Sequence, residues 1–472
     1  QPARPLWKQQ EAALRFLQKH RYFALLMEMR TGKTAPVLVD FFRSDSDDLL
    51  VVAPAGCYRT WLTAIDEVGL PDPERTYVYL WSADDKANHY KFPPNKIKSG
   101  ERRILIVNVE ALSTVERARE LVLEFAGARR STIVIDESTC IKNDDAKRTQ
   151  FILEKLGPLA YRRRILSGLP TPRSPLDIYA QFAFLNKMIL GAPDYDSFFR
   201  RHAVTKFIPN QAQRRYVKVV VGYQHVEDIY RRIVPFSYRV LRSDCYEVPE
   251  KCYVRRDVEL TKEQRRIYTE LRDHATAELE SKDYVTAQMV ITQMLRMHQI
   301  LMGHAVDETG AVHEVPTYRT RELVQVLRET SGKAIVWCSY DHSVHSIVRA
   351  VESEFGEGTV ARFWGGNKST REAEEQRFKE DLRCLVMVGT PSAGRFGRNW
   401  SIANTVIYYS STPDLDHRLQ SEDRPQAIGK RDAVTYVDLI ARGTVEEKFL
   451  KTLREKKRLA DVVTGDDFKE WL

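Results

Sequence analysis

The segment Gly32-Lys33-Thr34 follows the apolar run Tyr22 to Met27, setting an ammonium and a hydroxyl where a buried strand would give way to a helix. This is the context a phosphate-binding loop requires. Backbone N–H groups from Thr31 through Gly32 to Lys33 can cradle phosphate at a helix N-terminus, Lys33 can reach the β and γ phosphates, and the Thr34 hydroxyl can ligand Mg²⁺. Met27 stands at the first glycine of the general pattern. Arg30 occupies a loop position from which it approaches the nucleotide, pairs with an acidic neighbour or is solvated. Gly-Lys-Thr recurs by chance, so a second motif is needed. Ser131-Thr-Ile-Val-Ile-Asp136-Glu137 supplies it: an acidic pair closes an apolar strand, where Asp136 can hold the Mg²⁺ water shell and Glu137 can orient or deprotonate an attacking water. Together the two motifs point to ATP and Mg²⁺ as ligands, with Lys33, Asp136 and Glu137 as catalytic groups.

Parallel strands must position such groups. Short β-branched runs alternate with helical patterns in two stretches, which predicts an α/β fold with two parallel-sheet lobes. The first stretch offers strands at Tyr22 to Met27, Leu49 to Ala53, Ile104 to Val107, Thr132 to Ile135 and Arg164 to Ser167. The second offers Ala334 to Cys338, Val360 to Phe363, Cys384 to Gly389, Thr405 to Tyr409 and Val434 to Asp438. Between them the pattern changes to long charged helices, Lys262 to Leu279 and Ala287 to Leu301. The expected division is lobe one at 1–187, a helical basic insertion at 188–320 and lobe two at 321–472.

A chain of 472 residues is too long for one core, and 43% hydrophobic with 29% charged residues excludes a disordered chain. No apolar stretch approaches the ~20 residues of a membrane span, and the first residues lack the order of a secretory signal. A cytoplasmic compartment is expected, or a nuclear one if the source is eukaryotic. The six cysteines form no Cys-x-x-Cys pair, so neither a zinc module nor a disulfide framework is signalled. Between positions 200 and 242, ten Lys and Arg face only Glu227 and Asp228, a surplus equal to the net charge of +8. Phe207, Tyr216, Tyr223 and Tyr230 are interleaved with Arg214, Arg215 and the other cations. Such a mixture can neutralise phosphates and stack on bases, or simply cover a solvated surface.

The motifs resemble the Swi/Snf-like branch of helicase superfamily two, in a compact bacterial or viral form similar to the annealing helicases. Asp136-Glu-Ser-Thr-Cys-Ile-Lys142-Asn143 is similar to that family's Asp-Glu-x-His and Lys-Asn, with Thr139 replacing the His. Ile165-Leu-Ser-Gly-Leu-Pro-Thr-Pro172 resembles its Leu-Thr-Gly-Thr-Pro segment, and Trp7-Lys-Gln-Gln10 resembles its adenine-reading glutamine motif, with Gln10 favoured over Gln9. Tyr238 to Arg242, Val248 to Lys251, Glu259 to Tyr268 and Leu295 to His298 resemble the protrusion between the family's lobes. Gly389-Thr-Pro-Ser-Ala-Gly394-Arg395-Phe-Gly397-Arg-Asn399 and Gln420-Ser-Glu-Asp-Arg424 resemble two lobe-two motifs.

The resemblance implies two RecA-like lobes, with nucleotide contacts from Gln10, Gly394, Gly397 and Gln420 and an arginine finger at Arg424, whereas Arg30 stands where many helicases have another glycine. It implies nucleic-acid contacts from Pro54, Asn108, Lys142, Ser392 and Arg395. The family's second arginine falls on Ala427. An arginine finger can be worth ~10³ or more in rate, so turnover would be slow unless Arg398, Lys430 or Arg431 substitutes. The expected function is an ATP-dependent DNA translocase or helicase in replication, recombination or repair. It would act as a monomer on duplex or branched DNA without sequence preference. Competing readings are an ATP-gated DNA clamp with little turnover, and an RNA helicase.

Overall fold

A computed structural model describes residues 4–54, 57–81, 100–210, 215–246, 251–281, 287–307, 309–393, 399–426, 430 and 432–466. The first strands are β1 (Tyr22–Met27), β2 (Asp48–Ala53), β3 (Thr76–Leu80), β4 (Arg102–Asn108), β5 (Ser131–Ile135) and β6 (Ala160–Leu166). A two-stranded hairpin, β7 (Ala203–Asn210) with β8 (Arg215–Tyr223), precedes β9 (Ser237–Val240). One sheet runs β3-β4-β2-β5-β6-β1-β9, every neighbouring pair parallel. Strands β2 and β5 are buried along their whole length. Their unbroken apolar character is that of parallel strands covered on both faces.

The second sheet begins with β10 (Lys251–Val258). A small antiparallel hairpin, β11 (His304–Val306) and β12 (Val312–Glu314), follows. Then come β13 (Lys333–Trp337), β14 (Val360–Phe363), β15 (Val386–Gly389), β16 (Ala403–Tyr408) and β17 (Val434–Ala441). Their order is β10-β17-β16-β13-β15-β14, again entirely parallel. The expected α/β class with two parallel-sheet lobes is therefore present.

The long charged helices of the middle stretch span Lys262–Ser281 and Ala287–Leu301. Tyr268, Met297, Ile300 and Leu301 on these helices share one buried cluster with Ala334 and Val336 of β13. Buried Gln264 ties the pair together by donating to the Ile300 carbonyl at 2.8 Å. The same stretch also supplies β9 to the first sheet and β10 to the second. The sequence pattern does not show these strands, nor β3, because they lie at or next to sheet edges and carry tyrosines and arginines in place of apolar runs. The chain forms two compact units, one comprising 1–204, 222–247 and 457–472, the other 205–221 and 248–456.

Within the first unit, Arg164 of β6 is fully buried and donates to Asp40 of the helix Thr34–Arg43 at 3.0 Å and to the carbonyls of Leu17 and Arg21. A buried pair with its remaining donors occupied orients the elements it joins. Removing one partner of such a pair costs about 3–5 kcal/mol. The helix so held is the one that begins at Thr34. Among the described residues, no helix is long and apolar enough to cross a membrane.

Candidate nucleotide-binding site

All strands of the first sheet point the same way, so the residues that follow β1, β2, β4 and β5 gather along its carboxyl edge, where open α/β sheets bind ligands. The loop after β1 enters the helix Thr34–Arg43 directly. Two loop residues have left-handed backbones, Arg30 at φ 67° and Gly32 at φ 82°. Gly32 is required twice over, because an added Cβ would lie 2.3 Å from Gln10 Nε2 and 2.9 Å from the Trp7 ring. Arg30 takes a conformation that glycine adopts without cost, which costs other residues roughly 1–2 kcal/mol. Thr31 is buried and its hydroxyl donates to the Glu28 carbonyl at 2.7 Å, bracing the turn.

Gln10 is buried on the helix Lys8–Lys19, where its oxygen accepts from Trp7 N at 2.8 Å and its amide donates to the Gly32 carbonyl at 2.9 Å. Gln9 reaches the Thr31 carbonyl at 3.5 Å, so both glutamines address the loop and Gln10 holds it more closely.

Lys33 Nζ donates to Glu137 Oε1 at 2.9 Å, joining the loop to the acidic pair 104 positions away. Burial alone would pull the Lys33 ammonium's pKa down, but the carboxylates of Glu137 and Asp136 outweigh it and hold that pKa above its usual value. Asp136 accepts from Trp61 Nε1 at 2.8 Å and from Glu137 N at 2.9 Å. Burial, reinforced by the Glu137 charge, pushes its pKa up to about 6 against the opposing pull of Lys33. Glu137 itself is left-handed at φ 45°, strain of the kind that clusters at functional sites. Thr34 is buried as the first helical residue. Hydroxyl, carboxylate and ammonium thus meet the donor requirements of a nucleotide with Mg²⁺, and the Gly32 position leaves the close backbone approach open.

Gln181 was not picked out from the sequence. Fully buried on the helix Ile178–Leu185, it accepts from Ser138 Oγ at 2.6 Å and donates to the carbonyls of Pro170 at 2.6 Å and Asp177 at 2.7 Å. It ties the turn after Asp136-Glu137 to the 165–172 segment. Gly168 of that segment packs against the backbone of Met29 and Met27, where a Cβ would meet atoms at 3.2 and 3.4 Å.

Pro54 is buried just beyond β2, Asn108 ends β4 with its side chain accepting from Ala111 N at 2.7 Å, and Lys142 caps the short 3₁₀ turn Ser138–Ile141. In the second unit, Ser392 is exposed after β15. Gln420 is buried on the helix Leu415–Glu422 and donates to Asp416 at 2.7 Å. Arg424 is buried just after that helix. Lys430 donates to the carbonyls of Ser401, Ala403 and Pro425 at 2.9, 2.6 and 3.2 Å. Its ammonium is thereby engaged by the backbone. Arg214, Gly394, Arg395, Gly397, Ala427, Arg398 and Arg431 lie outside the described residues, as does the side chain of Arg215. The six cysteines are free, and among the described residues no cluster of His, Cys, Asp or Glu could hold a metal by itself.

A parallel sheet with this loop at one strand end and an acidic pair at another defines a P-loop α/β protein. More narrowly, the chain belongs to the SNF2-related domain family, whose model matches residues 13–305. It is similar to the putative ATP-dependent helicase/translocase YwqA of Bacillus subtilis, 24% identical over 98% of this chain and 48% of that protein. An uncharacterized ATP-dependent helicase of Mycoplasma pneumoniae is 22% identical over 96% of the chain and 41% of its own length. The chain thus spans about half or less of the curated relatives it matches. A solved structure of the Sulfolobus solfataricus SWI2/SNF2 ATPase core in complex with dsDNA aligns over 99% of this chain and 95% of its own, at 21% identity and TM-score 0.41.

Proposed function

We propose that this chain hydrolyses ATP at the Lys33, Asp136 and Glu137 site and couples hydrolysis to movement along DNA. It would act as a monomeric translocase or helicase in replication, recombination or repair. The observation that carries the reading is the 2.9 Å contact between Lys33 and Glu137 inside the loop-and-strand framework. Lys33, drawn to the phosphates of a bound nucleotide, would release Glu137 to orient the attacking water. Asp136, steadied by Trp61, would join the Thr34 hydroxyl in holding Mg²⁺, which supplies charge neutralisation at the β and γ phosphates when bound. Gln10, Arg30, Thr31 and Gly32 would shape the nucleotide pocket. Arg424, Gln420, Gly394 and Gly397 would complete it from the second lobe.

In this reading 1–187 and 321–472 are the motor lobes, and the basic stretch between them extends the grip on duplex or branched DNA. Pro54, Asn108, Lys142, Arg214, Arg215, Ser392 and Arg395 would contact the nucleic acid. Contacts with the phosphate backbone carry little sequence information, so binding should be salt-sensitive and indifferent to sequence.

The deciding experiment is ATP hydrolysis with no nucleic acid, duplex DNA, forked DNA, single-stranded DNA and RNA, beside Glu137→Gln. DNA-stimulated turnover that falls by about 10²-fold or more in the variant supports the motor. Stimulation by RNA alone would replace DNA with RNA as the track. One observation favours a second reading, an ATP-gated DNA clamp: Lys430 is occupied by three carbonyls while Ala427 removes the usual second arginine. DNA binding that responds to ATP without DNA-dependent turnover would select the clamp.

A further inference from the structure

The hairpin β7–β8 has an anchored root and an exposed body. At the root, Gln224 N donates to the His202 carbonyl at 2.9 Å, the Gln224 side chain reaches the Arg201 carbonyl at 3.1 Å, and Phe198 and His202 are fully buried with rings 4.5 Å apart. Gly222 lies beside Val204, 3.8 Å from where its Cβ would be. Consecutive strands joined by so short a connection are antiparallel. Extending the root register places Phe207 opposite Val219 and Thr205 opposite Val221. By strand alternation these four share one face, while Val204, Lys206 and Lys218 lie on the other.

The apolar face is uncovered: Phe207 is 67% exposed, Val221 50% and Val219 38%. Lys206 and Lys218 are exposed as well. From Ser197 to Val226 the chain carries six Lys and Arg and no Asp or Glu. The lysine face also carries Val204, 39% exposed, and Val220, so exposed apolar side chains and lysines are interleaved over the ribbon, which is set in a wholly basic segment. A polyanion that also offers apolar faces matches this mixture. Unpaired nucleotides are such a ligand, because their bases are free to stack on Phe207 while phosphates meet the lysines. A fully paired duplex hides those base faces.

The geometry points to the β7–β8 ribbon as a binding element for unpaired DNA, which inserts where strands part and gives the protein a preference for branched over fully paired substrates. This rests on the DNA reading above and adds the preferred substrate structure to it.

The test is fluorescence anisotropy of the full chain with a forked DNA and with the fully paired duplex of equal length, each over a series of salt concentrations. The variants are Phe207→Ala, Val221→Thr and the pair Lys206→Gln with Lys218→Gln. Melting temperatures and unstimulated ATP hydrolysis matching the parent chain establish intact folding. Phe207→Ala should weaken fork binding about tenfold and duplex binding less than about twofold. Val221→Thr, which keeps the β-branched shape, should have a smaller effect of the same kind. The lysine pair should lower the steepness of the salt dependence on the fork by about one to two. Equal losses on fork and duplex, or no loss from Phe207→Ala, overturn the inference while leaving the motor intact. A parent chain that binds neither DNA overturns both. Self-association in sedimentation velocity that Phe207→Ala abolishes would make the face a contact between copies and overturn the inference.

Discussion

Asp136 and the turn that follows it are held by side chains distant in sequence: Trp61 reaches Asp136 across 75 positions, and Gln181 reaches Ser138 across 43. Replacing Gln181 with Leu keeps the volume but deletes one acceptor and two donated bonds in a fully buried place. The loss should be about 2–3 kcal/mol, read by urea unfolding. Gln181→Glu retains the acceptor for Ser138 and should recover part of the loss at a pH low enough to protonate it. Contiguity explains what could be read beforehand. Gly32-Lys33-Thr34 and Asp136-Glu137 announce themselves because each chemistry occupies adjacent positions. Gln181 carries no such sign, since its role exists only once a helix brings it beneath Pro170. The left-handed backbone at Arg30 likewise carries no sign in the sequence, although its place in the loop does.

Strands and helices show the same division. Central strands β2 and β5 are apolar throughout, and their positions follow from composition alone. Edge strand β10 reads Lys-Cys-Tyr-Val-Arg-Arg-Asp-Val, and only its pairing with β17 identifies it. The hairpin β11–β12 carries a pH consequence. His304 is buried with its ring 5.2 Å from Tyr340 and 4.8 Å from His342. Burial first, then the neighbouring histidines, pulls its pKa from 6.5 down to about 4. The fold therefore favours neutral His304, and the unfolded chain binds the proton more readily between those values. The stability contributed is present above about pH 6.5 and is lost as pH falls toward about 4. Chemical denaturation across that window should show a shallower decline for His304→Gln than for the parent chain. An identical slope would mean the imidazole is protonated without penalty.

At the scale of the whole chain, the first unit is assembled from separated pieces, and 457–472 belongs to it although 248–456 does not. Arg239 on β9 pairs with Asp466 at 2.6 Å and also donates to the carbonyls of Leu26 and Gly168, so one guanidinium touches β1, the 165–172 segment and the end of the described chain. Asp466→Ala should destabilise the first unit by about 3–5 kcal/mol, because it strands a largely buried arginine. Limited proteolysis should then release fragments from 1–204 sooner than from 251–456.

The Arg239–Asp466 pairing also sets a schedule. A ribosome delivers β1, the 165–172 segment and β9 long before it delivers Asp466, so during synthesis Arg239 can join the carbonyls of Leu26 and Gly168 first and gains its counter-charge only when the last part of the first unit has emerged.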